Sequence, residues 1–521
     1  MPIEPRQVPV IDLFAGPGGL GEGFSSYSGQ GLEFDIRLSI EKDPHAHKTL
    51  ELRAFLRAFD AGPPDAYYEY VKGEIDRNVL FSRYESEAEL AKKEAQCLEL
   101  GHHGRILELI GERLGGAKDW VLIGGPPCQA YSLIGRARSA GKGLKREGEG
   151  EFEYAERVKE RKSAFEKDPR HLLYREYLKV IARHSPAVFV MENVKGILSS
   201  KLKGKLVFES ILKDLRNPAK AVDLKGARDI AYKLYSFVEP SSDDSRKYII
   251  RSEDFGIPQR RHRVILLGVR EDMESETSYL QPQLAQVSAE EAIGDLPNLM
   301  AGLSREKSLT VPAAIKSLFS SEKWKEAVLA APEDLESVLT EMEVSAKALT
   351  NEKVRGGRFV PSEDIRPFSN WLRDDNLGGA LNHETRGHMK EDLWRYLFCS
   401  IYAQRNDVSP KLRHFPEALL PAHRNVEAGK NVVFGDRFRV QLADQPSTTI
   451  TSHISKDGHY YVHYDPSQCR SLTVREAARL QTFPDNYFFE GPRTEQYRQV
   501  GNAVPPLLAR QIAKICKSIL I

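Results

Sequence analysis

The sequence predicts an α/β chain built on a mostly parallel sheet with helices on both faces. Three observations carry that prediction. Val8–Phe14, Trp120–Ile123 and Pro186–Val190 read as buried strands, and the unbroken apolar character of Trp120–Ile123 is that of a central parallel strand. The first runs into Ala15-Gly-Pro-Gly-Gly-Leu-Gly-Glu-Gly-Phe24, a glycine loop that opens a helix. The segments after the second and third strands are short, polar and rigid, as expected at the carboxyl edge of such a sheet, where α/β folds place ligands.

In chain order, Gly16, Gly18 and Gly21 satisfy the literal G-x-G-x-x-G pattern of a phosphate- or nucleotide-binding turn. A second strand, Phe34–Ile40, ends in Glu41 about 20 residues on, where an acid can bind ribose hydroxyls. NAD and S-adenosylmethionine both carry a ribose, so this pair leaves both open. Taken alone it is also compatible with a plain glycine turn and a capping acid.

The strand Trp120–Ile123 ends in Gly124-Gly-Pro-Pro-Cys128. Two prolines fix two φ angles and remove two donors, so the thiol of Cys128 stands at a reproducible position. Most lone cysteines are small buried hydrophobes. The strand-Gly-Gly-Pro-Pro setting instead makes Cys128 a candidate nucleophile. Pro186–Val190 continues into Met191-Glu-Asn-Val-Lys-Gly196 and puts Glu192 at the same edge. A glutamate partly desolvated there has its pKa raised towards neutrality and can act as a general acid; the bland alternative is a strand-end surface acid.

At 521 residues the chain exceeds one ordinary core and predicts two or three domains. No apolar stretch approaches the roughly 20 residues of a spanning helix, so a cytoplasmic protein without a membrane partner is expected. Cysteines 97, 128, 399, 469 and 516 form no C-x-x-C pair, which argues for reduced thiols and against a local zinc site. In His383-Glu-Thr-Arg-Gly-His388 the histidines are five apart rather than four, so no metal is expected there either. With 75 basic and 74 acidic residues, any nucleic-acid face must be local. Gln259-Arg-Arg-His-Arg263, the loop Gly135 to Arg146 and Arg437-Phe-Arg439 are the basic clusters available.

Six blocks, taken in order, resemble the DNA cytosine-5 methyltransferases of prokaryotic type. They are Asp12-Leu-Phe-Ala-Gly-Pro-Gly-Gly19, Gly125-Pro-Pro-Cys-Gln129, Glu192-Asn-Val194, Gln259-Arg-Arg-His-Arg263, Arg475-Glu-Ala-Ala-Arg-Leu-Gln-Thr-Phe-Pro484 and Gln499-Val-Gly-Asn-Ala-Val-Pro-Pro506. The resemblance covers about the first 270 residues and the last 55. It implies a Rossmann-like S-adenosylmethionine-dependent methyltransferase sheet with a smaller, mixed target-recognition domain. It implies that the Cys128 thiolate adds to C6 of a flipped cytosine while Glu192 protonates N3, and that C5 then takes the methyl group. Arg261 and Arg263 are placed beside the base and the nucleophile. Asn193, Val194, Gln259, Pro127 and Gln129 become supports. For the cofactor, the resemblance implies Phe14 against the adenine, Ala15, Gly16, Gly18 and Gly19 at the methionine end, Glu41 on the ribose, and Pro126, Asn502 and Ala503 completing the pocket. Glu74, in Lys72-Gly-Glu-Ile75, is aligned with the family's adenine-binding aspartate.

The resemblance further implies a catalytic domain in two pieces, residues 1–280 and 486–521, around a recognition domain at 281–485. Tyr131 stands where the family has phenylalanine, and the charged insertion between Ile75 and Trp120 reads as an added surface helix. Ser132 to about Phe165 is glycine-rich and charged, as a mobile lid over DNA would be. Pro446–Ser452 and His459–His463 look like the strand pair leading into the Arg475 block, and Leu393–Ile401 is an apolar helix face read as core. Double-stranded DNA is the implied partner of a monomeric enzyme from a restriction-modification or phage-defence setting. A tRNA methylase would need a shorter recognition region, a silent DNA-binding relative would not need Cys128, and a nicotinamide oxidoreductase leaves Gly125–Gln129 unexplained.

Overall fold

The computed structural model describes residues 5–29, 31–101, 103–127, 153, 170–202, 205–239, 244–273, 277–305, 308–350, 354–421 and 435–521. Cys128, Gln129, Tyr131 and the segment Ser132–Phe165, apart from Glu153, lie outside the described residues.

The strands in chain order are β1 (Arg6–Leu13), β2 (Ser28–Gly29), β3 (Leu32–Glu41), β4 (Ala95–Cys97), β5 (Val121–Gly124), β6 (Val188–Val194), the hairpin β7 (Lys201–Leu202) and β8 (Lys205–Leu206), β9 (Tyr232–Ser236), β10 (Ile249–Arg251), β11 (Gln259–Arg260) and β12 (His262–Arg270). Nine of them form one sheet in the order β10-β12-β6-β5-β1-β3-β2, with β4 against β3 and β9 against β12. The centre, β4-β3-β1-β5-β6, is parallel, and β12 runs antiparallel to β6. From β1 the chain winds outward to β3 and β4, then crosses to β5 on the other flank. That reversal is the switch point at which doubly wound sheets open a crevice.

Both faces of the sheet are covered, which explains why the central strands do not alternate. Leu122, Phe189 and Met191 pack on one face with the helices His103–Leu114 and Arg170–His184. Val121, Ile123, Val188 and Val190 pack on the other with α1 (Gly19–Ser25) and the final helix, Pro506–Leu520. The final helix presses directly on α1: a Cβ at Gly23 would lie 2.4 Å from Ala509 Cβ and 2.5 Å from the Pro506 carbonyl. The end of the chain thus closes the core that its beginning starts.

A further core lies within Met300–Cys469, where the helix Lys390–Asn406 buries Leu393, Tyr396, Leu397, Phe398, Cys399 and Ile401. His383 and His388, in neighbouring strands, are buried rather than presented to solvent. The His383 ring contacts Thr473 Oγ1 at 2.9 Å and the Pro297 carbonyl at 2.8 Å.

The 75–120 region is not the surface helix expected. With the preceding α3 (Asp65–Lys72), the helices α4 (Arg77–Arg83) and α5 (Glu85–Glu94) pack on α2 (Pro44–Arg57), and β4 joins the main sheet. Leu80, Ala88, Ala91 and Ala95 are buried there. Charged positions hid this packing because small alanines, not large apolar residues, supply the inner face of α5.

Candidate active site

Strand register builds the site. Leu13 pairs with Ile40 and with Gly124, and Gly124 pairs with Met191. The residues just beyond, Phe14, Glu41, Gly125 and Glu192, therefore stand in a row along one edge of the sheet. Phe14 leaves β1 in the left-handed region, φ 59°, a conformation costing a bulky residue about 1–3 kcal/mol. Gly16 comes next at φ 58° and Gly18 at φ 96°, where glycine is at ease. Glu41 clamps the turn: one carboxylate oxygen accepts from the Gly16 N–H at 2.9 Å and the other from the Asp43 N–H at 2.8 Å. Asp43 then caps α2, accepting from the His45 and Ala46 N–H groups with Pro44 at the first helical position.

Over this edge opens a cavity of ≈ 350 Å³. Its walls include Phe14, Ala15, Gly16, Gly19 and Glu41 from the first strands, Pro126, Pro127, Glu192, Asn193 and Val194 from β5 and β6, and Asn502 and Ala503 from the C-terminal block. Two glycines are obligatory for close approach. A Cβ at Gly19 would fall 2.3 Å from the Val504 carbonyl, and one at Gly125 would fall 2.9 Å from Glu192 Oε2.

At the β6 end, Glu192 meets Arg263 Nε at 3.0 Å, with both side chains about one-seventh exposed (14% each). The antiparallel register of β12 on β6 brings them together, Arg263 lying opposite Val194 and Ile265 opposite Glu192. Glu192 is therefore a paired acid rather than one isolated against apolar walls. Asn193 Nδ2 donates to the Pro126 carbonyl at 3.4 Å and its Oδ1 accepts from the Val194 N–H at 2.8 Å, tying the Pro-Pro turn to β6. The Cys128 and Gln129 positions lie just past the described end of that turn.

Three expected site residues are elsewhere. Arg261 is buried, and its Nη1 donates to the carbonyls of Ile450 (2.8 Å) and Gly501 (3.3 Å). Burial, with the Arg263 charge nearby, pulls its pKa well below the usual guanidinium range. It joins β12 to the C-terminal block and does not face the cavity, because successive residues at a strand's start point to opposite sides. Gln259 acts beside it, donating to Leu480 O at 3.1 Å and accepting from the Ile450 N–H at 2.8 Å.

Gly18 turns away from the cavity; a Cβ there would meet Leu50 Cδ1 at 2.9 Å and Tyr487 Oη at 3.1 Å. Glu74 is exposed on the turn that ends α3, its N–H bonded to Glu69 O at 2.8 Å. The Lys72–Ile75 segment resembles a strand end in letters only: Gly73 at φ 87° caps a helix there.

The strand that reaches the corresponding edge is β4, Glu41 pairing with Cys97, so Leu98, Glu99 and Leu100 form the wall that Glu74 was expected to supply. Sequence reasoning missed these, together with Asp43, Gln499 and Arg498. The short β-bridge inside a charged helical insertion left no periodicity by which to find Leu98–Leu100. Gln499 sits in one of the six matching blocks and could have been found from it.

Asp12, in the first block, carries no role in the sequence-based reading either. It is fully buried in β1, and burial pushes its pKa well above the ordinary carboxylate value, with the Gly21 N–H and the Arg57 charge opposing.

Residues 116–518 match the family model "C-5 cytosine-specific DNA methylase". Among curated relatives, the type II methyltransferase M.Bpa9945I of Bacillus paralicheniformis is 33% identical over 98% of this chain and 99% of its own. The type II methyltransferase M.AgeI of Thalassovita gelatinovora is 26% identical over 97% and 98%. Among solved structures, a DNA modification methyltransferase encoded within an E. coli prophage has the same fold, with a TM-score of 0.50, 17% identity and coverage of 98% and 99%. The chain belongs to the C-5 cytosine-specific DNA methylases.

Proposed function

We propose that this protein transfers a methyl group from S-adenosylmethionine to C5 of a cytosine within a short target sequence of double-stranded DNA. The observation that carries the residue-level reading is the alignment of Phe14, Glu41, Gly125 and Glu192 along one sheet edge, over one cavity. That cavity suits the cofactor chemically. It offers an aromatic ring, a carboxylate on the adjoining strand end, and glycines at 19 and 125 whose missing Cβ atoms leave room for close approach. Phe14 would meet the adenine, Glu41 the ribose, and the Ala15–Gly19 turn the methionine end, with Pro126, Asn502 and Ala503 enclosing it. Glu99 replaces Glu74 as the acid nearest the base. When bound, the cofactor supplies an electrophilic methyl group.

The chain's own residues do the rest. The Cys128 thiolate adds to C6 of the flipped cytosine while Glu192, oriented by Arg263, holds a proton at N3, so that C5 becomes nucleophilic. After C5 is methylated it loses its proton, and elimination of the Cys128 sulfur restores the ring. Asn193 positions the nucleophile's turn through Pro126, with Pro127 and Gln129 flanking the thiol, and Gln259 and Arg261 hold the β12 start. Residues 1–280 and 486–521 serve as the catalytic part and 281–485 as the recognition part of a cytoplasmic monomer, the modification half of a restriction or phage-defence system. The named relatives are type II methyltransferases, which supports that setting.

Labelled S-adenosylmethionine and unmethylated duplex DNA test the reading, with bisulfite sequencing of the product. Label at C5 of cytosines in one motif, lost in Cys128→Ser, is expected. Label in RNA alone, or undiminished in the variant, would refute it.

A further inference from the structure

A second recess lies beside the catalytic edge, where β11 pairs in parallel with the short strand Ser447–Thr448. It encloses about 540 Å³ and is lined by Arg260, Arg439, Thr448, Thr449, His453 and Tyr460, among others. Its frame is fixed by bonds that use up the uncharged groups. Buried Gln441 accepts from the Thr448 N–H at 2.8 Å and from its hydroxyl at 3.0 Å, and donates to the Tyr460 carbonyl at 2.8 Å. The Thr449 hydroxyl donates to the Arg260 carbonyl at 2.6 Å.

The cations are less committed. Arg260 is exposed and gives one Nη2 contact to Gln445 Oε1 at 2.9 Å; Arg439 pairs at the rim with Asp436 and stands 5.9 Å from the Tyr460 ring centre. Each guanidinium has five N–H donors, so donors remain on both. No described lining residue is acidic. In a chain with 75 basic and 74 acidic residues this positive recess is a local construction, not a consequence of net charge.

Its position gives it a purpose. Arg260 stands three residues before Arg263, and the intervening Arg261 is bonded to Ile450 O and Gly501 O, so the recess and the Glu192–Arg263 pair belong to one braced unit. We propose that the recess seats a backbone phosphate of the DNA substrate, with Arg260 and Arg439 as the positioning residues that set the register in which the target cytosine reaches Glu192. This rests on the reading of the protein as a DNA methylase. Phosphate contacts carry no sequence information but fix orientation on the duplex.

The test is duplex binding across a salt series with the full-length protein, using a labelled duplex of mixed sequence and one containing the methylated motif. In Arg260→Gln and in Arg439→Gln, the dissociation constant should rise about tenfold for both duplexes, and the slope of log affinity against log salt should become shallower by about one per arginine. Arg260→Lys and Arg439→Lys keep the charge and should keep the slope, which a merely structural role would not predict. An unchanged slope in both glutamine variants overturns the proposal, as does a loss confined to the motif-bearing duplex, since that marks base readout. Failure of the wild-type protein to bind or methylate any duplex would instead strike the functional reading itself.

Discussion

Around the cavity, charged groups keep capacity for a visitor, whereas in the block from Arg470 to Tyr487 they are saturated by the protein. Glu192 has one guanidinium contact at its catalytic edge and remains open to the cavity. Arg475, by contrast, is fully buried and donates to the carbonyls of Leu381, Pro484 and Tyr487 at 2.8, 3.1 and 2.6 Å. Arg470 grips Glu476 through two contacts of 2.7 and 2.5 Å, and Arg479 pairs with both Asp485 and Asp295. The same residue types build a reactive edge in one place and a fastening in the other. What separates them is whether the donors and acceptors are spoken for, because a buried polar group without a partner is costly and a satisfied one is architecture.

The largest effect that would sharpen this contrast is on the open side. Glu192→Gln keeps the shape but removes the proton and the charge facing Arg263. Turnover should fall by about 10²–10⁴, the range for a lost general acid, with the melting temperature little changed. A turnover within a factor of a few of wild type would remove Glu192 from the chemistry. On the saturated side, Arg475→Ala strands three buried carbonyls, each a loss of about 1–3 kcal/mol. A destabilisation above about 3 kcal/mol in denaturant melts is expected, with the activity per folded molecule retained. A loss under about 1 kcal/mol would show that the block relaxes and that saturation is not what holds it.

The same contrast marks what the sequence could disclose. The row of Phe14, Glu41 and Glu192 was legible because each comes directly after or at the end of a buried strand, and parallel strands deliver their ends to one edge. Arg261 and Arg263 were not separable in the letters Gln-Arg-Arg-His-Arg: only the pairing of β12 with β6 shows that one faces Glu192 and the other faces carbonyls from residues 450 and 501. Those contacts span about half the chain, and no local pattern encodes them. Glu74 failed for a related reason. A motif aligned by spacing landed on a helix cap, while the edge position belonged to residues beyond a three-residue strand that pairs through register, not propensity. Arg260 and Arg439 showed as basic clusters, but nothing in either cluster showed that they meet.

Asp12 lies between the two regimes, a buried acid one strand-length below the reactive edge, and it yields the smallest and most diagnostic effect. Burial raises its pKa above the ordinary value of 3.8, outweighing the Arg57 charge and the Gly21 N–H, while Glu41 and Glu94 push the same way as burial. For an acid whose folded pKa is raised, the folded state holds the proton more tightly than the unfolded chain. The associated stability is complete below 3.8 and is lost as pH climbs through the folded value. Asp12→Asn replaces the carboxyl with a neutral group of the same shape and removes that dependence. The variant should melt close to wild type in acid and progressively above it as pH rises, each kcal/mol recovered being worth roughly 2–4 °C. A difference in melting temperature that stays flat with pH, or grows towards acid, would mean that Asp12 is an ionised member of the saturated set and that the cavity's first strand is held by charge rather than by shape.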